Sequence, residues 1–291
     1  MTFEDFYFVI EEPILLTMKG RIKINHKEIC VLQSVLMYYN GKNKCFVHDH
    51  HPIFNKCKYL MIDSGGFNID KLYGTYPFTI RDYHNHLERI KPDYAVSLDY
   101  NTNVPSLMEY EARVASMKTT INNFIEQFDM DRTYELILPI QGNGYEERLL
   151  FLDMLSQRID LKKVEYWGVG GGGVKATTLR QQDNFLEIRR LLCDHLNKKF
   201  NNPKIHIFGG TLTFIKKMLK KDFHFTSLDT WSWGIPIKKG KTFDKNLNAL
   251  LIRETDLSIN EAKQRCVLRY QRDIDFVKRL VDRNNNVEKL L

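Results

Sequence analysis

The sequence predicts a parallel α/β barrel of the TIM type, and three observations carry that prediction. First, short apolar runs alternate with longer amphipathic stretches from residue 59 onward, the pattern of βα units around a parallel sheet. Second, residues that can carry chemistry follow run after run. They are Asp63 in YLMIDSGGF, Asp99 in SLDY, Gln141 in LPIQG, Gly170 in WGVGGGG and Asp229 in FTSLDTWSW. A parallel barrel builds its active site at the C-terminal ends of its strands in this way. Third, 291 residues suffice for one such barrel with little left over.

Each element follows from local pattern. Residues 30–38, CVLQSVLMY, read as a strand or other buried element, and Asn40-Gly41 as the turn after it. The apolar run 59–62 is a buried strand, followed by an amphipathic helix over 79–90. A strand at 94–98 leads to a long helix over about 105–127. Strand 134–140 precedes helix 145–158, and strand 164–169 precedes helix 177–199, with Phe185, Ile188, Leu192 and Leu196 as its apolar stripe. Strand 204–208 precedes helix 211–220, and strand 225–229 leads through a loop to a final helix of about 259–282 that packs on the barrel. The terminal NNNVEKLL is expected to fray. Residues 1–291 form one domain, with no linker, internal repeat or low-complexity tract. An eighth strand has no clear signature, so an open doubly wound sheet stays as the alternative fold.

Composition narrows the function classes. At 43% hydrophobic residues the chain can build a sizeable core. No apolar run approaches the roughly 20 residues of a membrane span. The segment MTFEDFYF carries acids where a signal peptide carries bases. These features predict a soluble, cytoplasmic protein without membrane association. The net charge of +7 and pI near 9.0 fit a polyanionic partner such as nucleic acid. Lysines cluster at Lys216, Lys217, Lys220 and Lys221, and again at Lys238, Lys239 and Lys241 just after Asp229. A lysine-rich surface without binding meaning is the alternative. Cys30, Cys45, Cys57, Cys193 and Cys266 form no CxxC pair, so neither a disulfide framework nor a zinc spacing is predicted.

The strand-end residues have defined chemical uses. In Asp63-Ser64-Gly65-Gly66-Phe67 the glycines allow a sharp turn and bring backbone N–H groups close to a ligand. A carboxylate there is partly desolvated, which raises its pKa and suits proton transfer. The alternative is a helix-capping aspartate with turn glycines. Trp231 and Trp233 flank the segment after Asp229 and either wall a pocket or pack in the core. His48, His50 and His51 lack partners at a metal-ligand spacing and read as loop. His84-Asn85-His86 has the letters of a nuclease motif but falls in a predicted helix.

Taken in order from residue 59 to 241, the blocks DSGGF, SLD, IQG, VGGGG and the late SLD resemble the queuine/tRNA-guanine transglycosylase family. DSGGF is the most specific of them. The resemblance implies a TIM barrel that exchanges guanine for a free 7-deazaguanine base. It implies Asp229 as the nucleophile at C1′ of the sugar and Asp63 as the general acid/base. It further implies Asp99 on the guanine edge and Gln141 on the base carbonyl. Backbone amides near Gly170 or Gly171 would assist, with Ser64 and Phe67 in the base pocket. Departures from the pattern are equally specific. The tRNA enzymes carry a structural zinc on a C-terminal CxCxxC motif plus His, whereas only Cys266 stands in that region here, so no zinc and no other cofactor is expected. Asn68 replaces the usual Gln after DSGGF, and Trp-Ser-Trp-Gly replaces Pro-Thr-Arg after the nucleophile. These losses fall on tRNA-handling parts and resemble the divergent phage and bacterial branch that inserts 7-deazaguanines such as 7-cyano-7-deazaguanine into DNA. That branch implies DNA as partner, Lys238, Lys239 and Lys241 on its phosphates, a role in restriction evasion, and host cytoplasm for a phage-encoded copy. A tRNA substrate, a non-catalytic nucleic-acid-binding partner subunit, a guanine-releasing hydrolase and a homodimeric assembly stay open.

Overall fold

The computed structural model describes residues 5–10, 26–46, 54, 56–102, 109–170, 179–210, 212–219, 224–230 and 232–288. Eight strands form its centre. They are β1 (Asp5–Val9), β2 (Cys30–Ser34), β3 (Tyr59–Asp63), β4 (Tyr94–Val96), β5 (Glu135–Ile140), β6 (Tyr166–Val169), β7 (Lys204–Ile207) and β8 (Ser227–Thr230). Each pairs in parallel with the next in chain order, and β8 pairs with β1 with Tyr7 opposite Asp229. The sheet is therefore a closed barrel, and the open doubly wound alternative is excluded.

The strand without a sequence signature is β1. Its DFYFV run is short, and Phe6, Tyr7 and Phe8 are all buried, so it lacks the polar–apolar alternation that marks a half-exposed strand. Residues 30–38 are not one strand. β2 stops at Ser34, whose hydroxyl accepts the Leu36 N–H at 3.4 Å and starts a 3-10 turn over Val35–Met37.

Helices surround the barrel: α1 (Gly66–Leu72), α2 (Ile80–Ile90), α3 (Tyr110–Phe128), α4 (Tyr145–Ser156), α5 (Leu179–Lys199) and α6 (Leu212–Leu219). α2 starts on a capping box in which Thr79 and Asp82 exchange backbone and side-chain hydrogen bonds. It buries Tyr83, Leu87 and Ile90 against the sheet. α3 contributes Met117, Ile121 and Phe124, and α4 Phe151, Leu152 and Leu155. The buried stripe of α5 is displaced from expectation. It runs through Leu186, Arg189, Leu192, Cys193 and Leu196, while Phe185 and Ile188 are half-buried. The displacement comes from a buried arginine standing where an apolar residue is expected.

After β8 the chain forms α7 (Gly234–Lys238), then a hairpin of Lys241–Phe243 with Ala249–Leu251, and then α8 (Ile259–Glu288). α8 packs on α6, α7 and the hairpin, and its Cys266, Val267, Ile274 and Val277 lie in the same buried cluster as Phe6 and Phe8 of β1. α8 runs to Glu288, past the expected helix end near residue 282, and no glycine or proline follows Ser258 to interrupt it. Among the described residues, no helix is long and apolar enough to cross a membrane.

Side chains rather than a channel fill the barrel. Tyr7 meets Tyr94 edge-on at 6.3 Å and His206 at 5.7 Å, and Tyr94 meets Tyr166 at 5.4 Å. Cys30, Leu32, Met61, Val96 and Ile137 are buried in the same inner cluster.

Candidate active site

Asp63 is the last residue of β3 and Asp229 the third of β8. Gln141 and Gly170 follow directly on β5 and β6, and Asp99 stands three residues past β4. All five therefore lie at the C-terminal end of the barrel.

Local sequence fixes each position. Gly65 adopts φ +74° at the start of α1, a left-handed conformation that favours glycine. At Gly66 a Cβ would lie 2.6 Å from both the carbonyl and the carboxylate of Asp99, so only glycine lets the two loops meet. Gly65 donates its N–H to Asp63 Oδ2 at 3.1 Å. The loop after β4 is tied down by helices. Gln127 accepts from the Leu98 N–H at 2.9 Å, Asn123 donates to the Leu98 carbonyl at 3.0 Å, and Thr120 accepts from the Tyr100 N–H at 3.0 Å. Tyr76 donates to the Asp99 carbonyl at 2.9 Å and accepts from its N–H at 3.2 Å.

The Asp99 side chain sits between two donors. Ser64 donates its hydroxyl to Oδ1, and Gln141 donates its amide to Oδ2 at 2.5 Å. The other end of the Gln141 amide accepts the Thr102 N–H at 3.3 Å, and Thr102 in turn accepts from the Gly142 N–H at 2.9 Å. Gln141 is thus oriented by the loop it contacts, with its NH2 towards the carboxylate.

Asp229 is held from β7 and the loop after it. Gly209, at φ +69°, donates its N–H to Asp229 Oδ1 at 2.9 Å, and Gly210 donates to the Asp229 carbonyl at 2.7 Å. His206 Nε2 lies 3.2 Å from the same Oδ1.

Electrostatics separate the carboxylates. Burial first, then the charge of Asp99 and more weakly that of Asp229, push Asp63 up to about 7, against the opposing Gly65 N–H. Burial pushes Asp99 up to about 6, against stabilising bonds from Ser64 and Gln141. A proton on Asp63 is therefore exchangeable near neutral pH.

Two buried arginines brace this end of the barrel. Arg148 donates to the Gly170 carbonyl at 2.7 Å and the Ile140 carbonyl at 3.4 Å, and Arg189 donates to the Phe208 carbonyl at 2.7 Å. Burial lowers both to about 10, and the charge of Asp229 opposes that lowering at Arg189. Sequence reasoning missed both, along with Tyr76, Thr102, His206 and Gly209. An arginine in phase with Leu186 and Leu192, and a histidine in the HIFGG strand end, were the signals available.

Other expected residues lie elsewhere. Lys238 closes α7, Lys239 follows it and Lys241 opens the hairpin, all three exposed. Trp233 is buried and donates its indole N–H to the Val9 carbonyl at 3.0 Å, so it packs rather than stacks on a ligand. His86 is buried in α2 and stacked on Phe46 at 4.3 Å. Lys217 pairs with Asp183 at 2.6 Å. Gly171, Trp231, Lys220, Lys221, His48, His50, His51 and the side chain of Phe67 lie outside the described residues. Among the described residues, no three His, Cys, Asp or Glu side chains group as a metal site requires.

No family model matches the sequence, and no curated protein does. Among solved structures, active domain 2 of a chitinase from Pyrococcus furiosus, determined as catalytic-site mutants, is 9% identical. The match covers 94% of this chain and 97% of that one with a TM-score of 0.43.

Proposed function

We propose that this protein is a base-exchange glycosyltransferase that replaces guanine in DNA with a 7-deazaguanine derivative such as 7-cyano-7-deazaguanine. One observation carries the reading: Asp63, Asp99 and Asp229 stand at one barrel mouth in three different environments. Exchange at C1′ needs three such groups. In the first half, an oxygen of Asp229 bonds to C1′ as the C1′–N9 bond breaks. The electron pair leaves with the purine and Asp63 supplies its proton. In the second half, the incoming base gives its ring N–H proton to Asp63. Its nitrogen bonds to C1′, and the aspartyl ester breaks to restore the Asp229 carboxylate. Two inversions retain configuration, as in retaining glycoside hydrolysis.

Asp99 fits the recognition role because a carboxylate accepts from N1–H and N2–H2 of guanine together, a pair of donors adenine does not offer. Each of its oxygens keeps a second lone pair beside the Ser64 and Gln141 bonds. A guanine in duplex DNA must first be flipped out, at a cost of a few kcal/mol. The exposed Lys238, Lys239 and Lys241 follow directly on the Asp229 segment and suit the flanking phosphates.

The test is base exchange by the purified protein. Radiolabelled guanine or 7-cyano-7-deazaguanine is supplied with duplex DNA, single-stranded DNA and bulk tRNA in parallel. Label entering DNA is the expected result. Label entering tRNA alone overturns the DNA substrate and keeps the chemistry. No label in any of the three, from folded protein, overturns the reading.

A further inference from the structure

Behind Asp229 a line of side chains crosses the barrel interior. Tyr166 Oη lies 2.6 Å from Ser227 Oγ, Ser227 Oγ lies 2.7 Å from His206 Nδ1, and His206 Nε2 lies 3.2 Å from Asp229 Oδ1. Tyr166, Ser227 and His206 are buried, with no more than 2% of any of them exposed. Bulk solvent therefore does not reach them, and the direction of the line follows from counting the donors and acceptors the side chains bring.

Burial holds the Tyr166 hydroxyl protonated. Its proton has one acceptor within reach among the described residues, Ser227 Oγ. Ser227 must then give its own proton to His206 Nδ1, which accepts and carries none. The proton of the neutral imidazole sits on Nε2 and points at Asp229. The reverse direction leaves the Tyr166 proton unpartnered in the barrel and sets a nitrogen lone pair against a carboxylate oxygen. Both are costly in a dry interior.

We infer that His206 is a positioning residue that sorts the two oxygens of Asp229. Oδ1 receives two N–H donors, from His206 and Gly209. Oδ2 accepts no hydrogen bond among the described residues and is the oxygen that bonds to C1′. The tie on Oδ1 stops the carboxylate rotating about its terminal torsion, which is otherwise soft. It also leaves the attacking oxygen without a donor that would blunt it. A histidine held in one tautomer by a second hydrogen bond is a general device for orienting an acid partner. The catalytic half of this inference rests on the transglycosylase reading; the hydrogen-bond line does not.

The experiment has one arm for each half. With 15N-histidine labelling, and His206 assigned by its absence in H206Q, the spectrum of the wild-type protein shows whether Nδ1 or Nε2 carries the proton. The expected result is an Nε2–H tautomer that shifts in S227A. An Nδ1–H tautomer or an imidazolium overturns the line whatever the activity. In base exchange, H206L removes the donor and keeps apolar bulk. It is expected to lower kcat about 100-fold, as a misplacement of the attacking atom by about 1 Å does, with KM for DNA unchanged. H206Q can both donate to Asp229 and accept from Ser227, and is expected to recover most of that loss. H206L within threefold of wild type, or H206Q as poor as H206L, overturns the positioning role. Wild-type protein that exchanges no base at all sinks the transglycosylase reading and with it the assignment of Oδ2. The tautomer spectrum then decides the hydrogen-bond line alone.

Discussion

Asp63 and Asp229 are the same residue type at the same kind of position, a strand end, and their neighbours put them in different environments. Asp229 has one oxygen fixed by a backbone N–H and faces His206, whereas Asp63 sits near two other carboxylates. Replacement of Asp229 by Asn keeps size and removes the nucleophilic charge. Turnover and any covalent adduct are expected to disappear while the fold persists. Residual exchange within about tenfold of wild type, a loss of only about 1.4 kcal/mol, rules out the nucleophile assignment. Asp63 also ties stability to pH. Its folded-state pKa lies above the ordinary carboxylate value, so folding takes up a proton between roughly pH 4 and 7. The stability this brings is present at low pH and is lost as pH rises through about 7. Urea unfolding of wild type and D63N at pH 8 and pH 5 checks the sign. Wild type should gain on D63N as pH falls, and a constant difference between them contradicts the shift.

At the scale of elements, the segment after β8 carries the clearest expectation for partner binding. Lys238 and Lys239 end α7 and Lys241 starts the hairpin, so a short, well-defined piece of structure displays all three to solvent. The double variant K238E/K239E is expected to weaken DNA binding across sequences. It should also lower the slope of log K against log salt by about one per lysine. An unchanged slope removes them from the interface. Elements also show what could be read in advance. The strands from 59 to 230 were legible because apolar runs between helical patterns are strong signals, and Asp63, Asp99, Gln141 and Asp229 fell at their ends. β1 was not legible, because a short strand buried on both faces has no period. The α5 stripe was misplaced because Arg189 is buried through hydrogen bonds to a carbonyl and contact with Phe214, which no hydropathy pattern encodes. His206 escaped for a related reason: its partners Ser227 and Asp229 are neighbours across β7 and β8, not in sequence.

For the whole molecule, closure of the ring is the decisive feature. β1 fills the gap between β2 and β8, with Phe8 fully buried between barrel and helices. Phe8→Ala is expected to cost about 3–5 kcal/mol, the usual penalty for emptying a fully buried aromatic position. Chemical denaturation reads this directly. A cost below about 1 kcal/mol would mean that the ring does not depend on this seam.

The same seam sets an order of events during synthesis. Tyr7 leaves the ribosome more than two hundred residues before its partner Asp229. Until then β1 has only β2 beside it, and the strand bearing the carboxylate has no second neighbour. Contacts of such separation form late, because the chain entropy of joining distant segments is lost before the pairing repays it. A nascent or half-folded chain therefore holds Asp63, Asp99 and Gln141 without Asp229 opposite them. It can gather one side of the barrel mouth, yet it lacks the carboxylate that completes the mouth. On the proposed reading, a glycosidic bond meets the full set of groups only in the finished molecule.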